Sequence, residues 1–235
     1  MTTHILEMKD ITKRYPGVVA LDRVHFSLRP GEVHCLVGEN GAGKSTLMKI
    51  LAGVISRDDG TLFIDGVEAQ YSNPIQASRL GISMIHQEFN LAPQLSVAEN
   101  IFLGRPPTQR GVVNWRRLYQ DARDALSMLD TDIDPRRMIN TLSVAQQQVV
   151  EIAKALSVQA RILVMDEPSA TLSDHELNAL FDIVKRLARQ NIGIIYISHR
   201  LEEIFQIGHR VTVMRDGAHI GTEAVCDVNR EDIIR

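Results

Sequence analysis

"CLVGENGAGKSTLMKI", residues 35–50, passes from an apolar run through a loop holding three glycines into an amphipathic run. Gly38 to Ser45 match G-x-x-x-x-G-K-[ST] at every fixed position. In that arrangement the glycines let backbone N–H groups converge on phosphate oxygens, and the helix that follows presents its positive end to them. Lys44 is placed to reach the β- and γ-phosphates and Ser45 to ligate Mg²⁺. The flanking strand and helix favour this reading over a merely glycine-rich turn. Such loops serve kinases, GTPases, motors and transporters alike, so the rest of the chain must say which chemistry follows.

Outward from the loop, short apolar strands alternate with helical patterns, the signature of an α/β fold with a mainly parallel sheet. "EVHCLV" (32–37), "GISMIH" (81–86), "RILVMD" (161–166) and "IGIIYIS" (192–198) are continuous apolar runs, as strands buried on both faces require. "HILEMKDI" (4–11), "RVHFSL" (23–28) and "GTLFIDG" (60–66) alternate in polarity and read as an antiparallel layer. Helix starts are marked by Asn73 before Pro74, with Gly81 as the stop, and by Ser96/Glu99, Ser143/Gln146 and Ser173/Glu176, each spaced as a capping box. Residues 88–157 hold three helical patterns and no convincing strand. The expected organisation is therefore one nucleotide-binding domain over 1–235. Its core and β subdomain occupy 1–87 and 158–235, with a helical subdomain inserted at 88–157. "NREDIIR" starts a helix at Asn229 that breaks off within two turns, the pattern of a chain continuing into something longer.

Composition narrows the class. The 235 residues are 44% hydrophobic and carry a net charge of −3, which argues against a polyanion-binding surface. Cys35 and Cys226 make neither a disulfide framework nor a metal pattern, and Cys35 reads as a small buried hydrophobe. The N-terminal stretch lacks the apolar core of a signal peptide, and no run approaches the roughly 20 residues of a membrane span. A soluble cytoplasmic chain that reaches any membrane through partners is expected.

The remaining chemistry sits at strand ends. "RILVMDEP" delivers Asp166 and Glu167 to the carboxyl end of a buried strand, where ligands bind in open α/β sheets. Asp166 can hold Mg²⁺ through water and Glu167 can polarise an attacking water, which argues for hydrolysis. His199, after the strand ending "ISHR", can donate to a γ-phosphate oxygen or simply cap the next helix. Gln87 ends another strand and signals little by itself. Ser45, Gln87, Asp166, Glu167 and His199 nonetheless all fall at carboxyl ends of one sheet and would converge on one nucleotide. "NTLSVAQQQVVEIAKAL" (140–156) is fully explained as a capped amphipathic helix with Val149, Ile152, Ala153 and Leu156 on one stripe. A GTPase would carry an N-K-x-D motif, and none occurs.

In this order the motifs resemble ATP-binding-cassette ATPases over essentially the whole chain. "HQEFNLAPQLSVAENIFLG", "QQQVVEIAKAL", "DEPSATLSDHELNALF" and "IYISHRLEEIFQIGHRVTVMRDG" are more narrowly similar to the first of two fused cassettes in bacterial monosaccharide importers of the ribose, galactose, arabinose and xylose type. The resemblance implies an ATPase that energises sugar import, with ATP and Mg²⁺ as ligands. It implies a second cassette as partner, with permease subunits and, indirectly, an extracytoplasmic sugar-binding protein. The chain would work peripherally at the cytoplasmic face of the membrane. It further implies Tyr15 stacked on adenine, Gly38, Glu39, Asn40, Gly41, Ala42, Gly43, Lys44, Ser45 and Thr46 around the phosphates, and Ser45 and Gln87 on Mg²⁺ with Asp166. Glu167 would act on the water, His199 on the γ-phosphate, Ser143 on the partner cassette's ATP, and Gln87–Gly104 would receive a membrane-subunit helix.

One departure stands out: the family's Leu-Ser-Gly-Gly-Gln is here Leu142-Ser143-Val144-Ala145-Gln146, which puts the strength of that phosphate contact in question. The competing reading, a soluble cassette acting on ribosomes or DNA, would bring basic arms or a long coiled coil. Only 54 residues separate Gln87 from Leu142, and no basic tract appears.

Overall fold

The computed structural model describes residues 4–234. Two long strands, β1 (Leu6–Tyr15) and β2 (Val18–Leu28), pair antiparallel and lead into β3 (Val33–Val37), all five of whose residues are buried. The glycine-rich loop joins β3 to α1 (Lys44–Leu51). β4 (Asp59–Ile64) and β5 (Val67–Glu68) complete a four-stranded antiparallel sheet in the order β2-β1-β4-β5. After α2 (Pro74–Arg79) and β6 (Ile82–Ile85) the chain turns helical, with α3 (Val97–Ile101), a small ladder of β7 (Thr108–Gln109) and β8 (Val112–Val113), α4 (Trp115–Ser127) and α5 (Val144–Leu156). β9 (Ile162–Asp166), α6 (Asp174–Arg189), β10 (Gly193–Ile197), α7 (Leu201–Ile207), β11 (Arg210–Arg215), β12 (Ala218–Ala224) and α8 (Arg230–Ile234) follow.

The principal sheet runs β12-β11-β3-β10-β9-β6. Its four pairings from β11 to β6 are parallel, and β12 joins antiparallel at the edge. Alternation across the sheet divides the core in two. Cys35, Val37, Leu163, Met165, Ile194 and Tyr196 face the layer holding α5 and α6, with Ile152, Val184 and Leu187. Leu36, Ile162, Val164, Ile195 and Ile197 face α1 and the antiparallel sheet through Leu47, Met48, Leu6 and Leu62. Each such aliphatic side chain contributes about 1.5–3 kcal/mol when buried, which is why β9 and β10 are apolar on both faces. The fold is the expected α/β class: a phosphate-loop NTPase core with a mainly parallel sheet, an antiparallel sheet beside it and a helical layer. Among the described residues no helix is long and apolar enough to cross a membrane.

The caps form as the sequence indicates. Asn73 accepts from Gln76 N with Pro74 at the first turn, and Ser96, Ser143 and Ser173 each close a capping box. Asn229 accepts from the backbone of Glu231 and Asp232 at the start of α8. Arg235, like the first three residues of the chain, lies outside the described residues. The expectation of no strand within 88–157 is corrected by the β7–β8 ladder. Arg110 (φ 52°) and Gly111 (φ 82°) form a two-residue turn whose twist matches a hairpin, so four residues pair where their composition alone gave no strand signal.

Asn100 organises the segment after Gln87. Fully buried, its Oδ1 accepts from Ala92 N (2.7 Å) and its Nδ2 donates to the Ala92 (3.1 Å) and Ser96 (3.0 Å) carbonyls. Truncating it strands one amide and two carbonyls in a dry environment, at roughly 1–3 kcal/mol for a buried unsatisfied group. Asn100→Ala should therefore lower Tm by roughly 2–12 °C for a chain of this size. Calorimetry checks this, and a shift under about 1 °C would show that the segment is held by something else.

Candidate functional site

Because β3, β10, β9 and β6 are parallel neighbours, their carboxyl ends open side by side. The 38–43 loop follows β3, Ser198 and His199 follow β10, Glu167 follows β9, and His86 and Gln87 follow β6. A cavity of about 590 Å³ lies there, within the size range of small-molecule sites. Asn40, Gly41, Ala42, Gly43, Lys44, Ser45 and Thr46 line it together with Gln87, Asp166, Glu167 and Ile197. Val18, Val19 and Ala20 of β2 and Asp216 of the β11–β12 turn complete the wall.

The loop's shape is fixed by close approach. Gly38 has φ +148°, and a Cβ on it would overlap the Met214 carbonyl oxygen of β11, so no other residue fits. Lys44, only 9% exposed, turns its ammonium back over the loop and donates to Gly38 O (2.7 Å) and Glu39 O (3.0 Å). Burial holds its pKa below the usual lysine value, against the opposing pull of Glu167 and Asp166. A half-desolvated cation held by carbonyls at a cavity wall, beside the N-terminus of α1, fits a phosphate.

Glu167 adopts φ +47°, sparsely populated for a residue with a side chain, and its N–H donates to Ile197 O at 3.0 Å. That turn aims the carboxylate across the strand ends. Gln87 Nε2 donates to Oε2 at 3.3 Å, and His199 Nδ1 stands 3.3 Å from Oε1. His199 is therefore directed to Glu167 and does not cap the next helix; Arg200 occupies that cap position. Asp166 is half-buried, and its carboxyl is held above the usual range, first by desolvation and then by the Glu167 charge. Ser45, Gln87 and Asp166 offer a hydroxyl, an amide and a carboxylate to the same cavity. These hard oxygen donors suit Mg²⁺, which keeps several waters and takes the rest of its shell from substrate phosphates.

The family profile described as "ABC transporter" matches residues 21–170, from β2 through the Asp166–Glu167 strand end. The chain belongs to the ABC transporter family. Among relatives of this ABC-family chain, the ribose import ATP-binding protein RbsA 1 of Rubrobacter xylanophilus is 53% identical over 98% of the chain and 46% of that protein. The galactose/methyl galactoside import ATP-binding protein MglA of Escherichia coli is 47% identical over 98% and 46%. The chain spans about half the length of the curated relatives it matches. In solved structures, the ADP conformation of an ABC transporter's ATP-binding cassette superposes with a TM-score of 0.85 at 26% identity, covering 99% of this chain and 94% of that one. A dimeric cassette in a post-hydrolysis state bound to ADP and Pi gives 0.78 at 25% identity, covering 94% and 98%.

Not every residue singled out in the sequence of this ABC-family chain reaches the cavity. Gly38, Glu39 and His199 border an adjoining cavity of about 470 Å³. Tyr15, 44% exposed, is not on the wall; it pairs with Val18, which is, and Lys13 lies over its ring. Ser143 stands apart as the cap of α5, where Gln146 N donates to its Oγ. Sequence reasoning missed Val18, Val19, Ala20, Ile197 and Asp216. The Asp216-Gly217 pair, a hairpin signal, could have found the last of these.

The Asp166 environment sets a sign. An acid whose pKa rises on folding binds more protons folded than unfolded, so stability falls as pH climbs from its ordinary value through the raised one. Above both values the carboxylate opposes folding when no cation is supplied. Asp166→Asn should therefore raise Tm at pH 7 in chelator, and the gain should vanish as pH falls to about 4. Scanning calorimetry across pH tests it; a lowered Tm at pH 7 would contradict it.

Proposed function

We propose that the chain binds ATP with Mg²⁺ in the 590 Å³ cavity and hydrolyses it, as the energy-supplying cassette of a monosaccharide importer. The observation that carries this reading is the Glu167 carboxylate, braced by Gln87 and His199 over the cavity that Lys44, Ser45 and Asp166 line. Lys44 exchanges its two loop carbonyls for β- and γ-phosphate oxygens, a stronger, charge-assisted bond. Asn40 to Thr46 wrap the phosphates, and Gly38 and Glu39 shape the loop beneath them. Ser45, Gln87 and Asp166 hold Mg²⁺, whose charge offsets that of the phosphates when bound. Glu167 orients the attacking water or takes its proton, and His199 donates to the γ-phosphate. Val18 to Ala20 and the neighbouring Tyr15 form the apolar side on which the base rests.

The names of the ribose and galactose import relatives support the substrate class, and the dimeric relative supports a second cassette whose nucleotide Ser143 faces. Val144 and Ala145 take helical geometry in the first turn of α5, where an anion is favoured without glycine, so that contact is weakened and not lost. Permease subunits, and through them an extracytoplasmic sugar-binding protein, are the remaining partners, with the chain peripheral to the cytoplasmic face. In domain terms we assign 1–87 and 158–235 to the ATPase core and β subdomain and 88–157 to the helical subdomain. The segment from Gln87 to Gly104 receives the membrane subunits. Asn90 fits a mechanical role there, with its N–H on Glu151 (2.7 Å) and its carbonyl on Lys154 (2.8 Å) of α5.

Two variants test the reading. Lys44→Ala should abolish ATP binding at millimolar concentration in isothermal titration, and near-normal affinity would move the site elsewhere. Glu167→Gln should keep ATP affinity while slowing hydrolysis by roughly two to four orders of magnitude. Turnover at the wild-type rate would remove Glu167 from the chemistry.

A further inference from the structure

Glu203, on α7, is 2% exposed, yet among the described residues no lysine or arginine hydrogen-bonds its carboxylate. Oε2 accepts from Tyr196 OH (2.9 Å) and Ser198 Oγ (2.8 Å), and Ser198 Oγ in turn accepts from Arg200 N (3.0 Å). Oε1 has no hydrogen-bond donor among the described residues and stands 3.8 Å from the Arg200 guanidinium. Burying a carboxylate against neutral hydroxyls costs more than it returns in stability, and an apolar residue of similar size would pack as well. What the carboxylate does reach is informative. Tyr196, Ser198 and Arg200 surround one exposed residue, His199, and both of its chain neighbours are tied to this group. Tyr196 is itself wholly buried, and the buried Ser169, two residues beyond Glu167, lies within reach of its hydroxyl.

We infer that Glu203 is a positioning residue: it locks the Ser198–Arg200 backbone so that the His199 ring stands over Glu167. The inference rests on the hydrolytic reading above only for its kinetic consequence; the placement of the ring is a property of the protein alone. A side chain 63% exposed has no packing of its own to hold it 3.3 Å from a carboxylate, so the constraint must come through the backbone. Misplacing a reacting group by an ångström costs up to about a hundredfold in rate, which sets the scale of the effect.

The test compares Glu203→Met, of similar length but with no acceptor for the Tyr196 and Ser198 hydroxyls, in the wild-type and His199→Ala backgrounds of the whole chain. Ser198→Ala serves as a second variant that leaves Glu203 in place should the first not fold. In histidine-selective NMR, Glu203→Met should shift and broaden the His199 ring signals and leave the other histidines unmoved. Under saturating ATP-Mg²⁺, kcat should fall roughly ten- to a hundredfold with KM nearly unchanged, and by less than about threefold when His199 is already alanine. Unmoved His199 signals, or equal losses of kcat in both backgrounds, would overturn the inference. Shifted His199 signals in a chain that hydrolyses no ATP would uphold the positioning and reject the hydrolytic reading.

Discussion

The parallel register of β3, β10, β9 and β6 is the constraint on which the rest depends. In-register pairing of Ile197 with both Leu36 and Asp166 brings the three central strands to a common finish. The bond from Glu167 N to Ile197 O extends that register one residue beyond the ladder. A slip of one residue would carry every strand side chain to the opposite core layer and draw Asp166 out of line with the neighbouring strand ends. The two core layers therefore fix the register, and the register fixes the site. Packing energy far from the cavity sets positions inside it.

The β2 and β11 strands add a second constraint, steric in kind. The loop after β3 presses against the Met214 carbonyl through Gly38, and the β11–β12 turn bonds back to β2 through Asp22 N to Gly217 O at 2.8 Å. The antiparallel sheet, the edge hairpin and the phosphate loop thus share one junction, and the apolar wall of the cavity is built there. This explains why a strand with no chemistry of its own, β2, supplies three of the lining residues.

Much of this was legible in the sequence for a physical reason: the informative signals were local. Continuous apolar runs gave the buried strands, cap spacing gave the helix starts, and the loop motif gave its own geometry. Strand ends could be read as convergent because topology in a parallel sheet forces it. What could not be read depends on non-local contact. "HRLEEIF" shows two adjacent acids, and only the fold reveals that Glu202 meets Arg230 at the surface while Glu203 points inward. The i, i+4 spacing of Glu203 with the buried Ile207 was the one available hint. Tyr15 shows the converse: a residue assigned by resemblance lies beside the wall through its pairing with Val18, not on it. Ser143 is well explained as a cap, and nothing within one chain assigns it more.

The central claim is that the strand ends are already arranged for a nucleotide and that Lys44 is the group that changes partner. A crystal structure of this chain grown with ADP and Mg²⁺ tests it most directly. The account predicts the diphosphate beside residues 40–46, with Lys44 Nζ moved from the Gly38 and Glu39 carbonyls onto phosphate oxygens and the ends of β3, β9 and β10 unshifted. Nucleotide bound elsewhere, or Lys44 still on both carbonyls with the diphosphate in place, would contradict it.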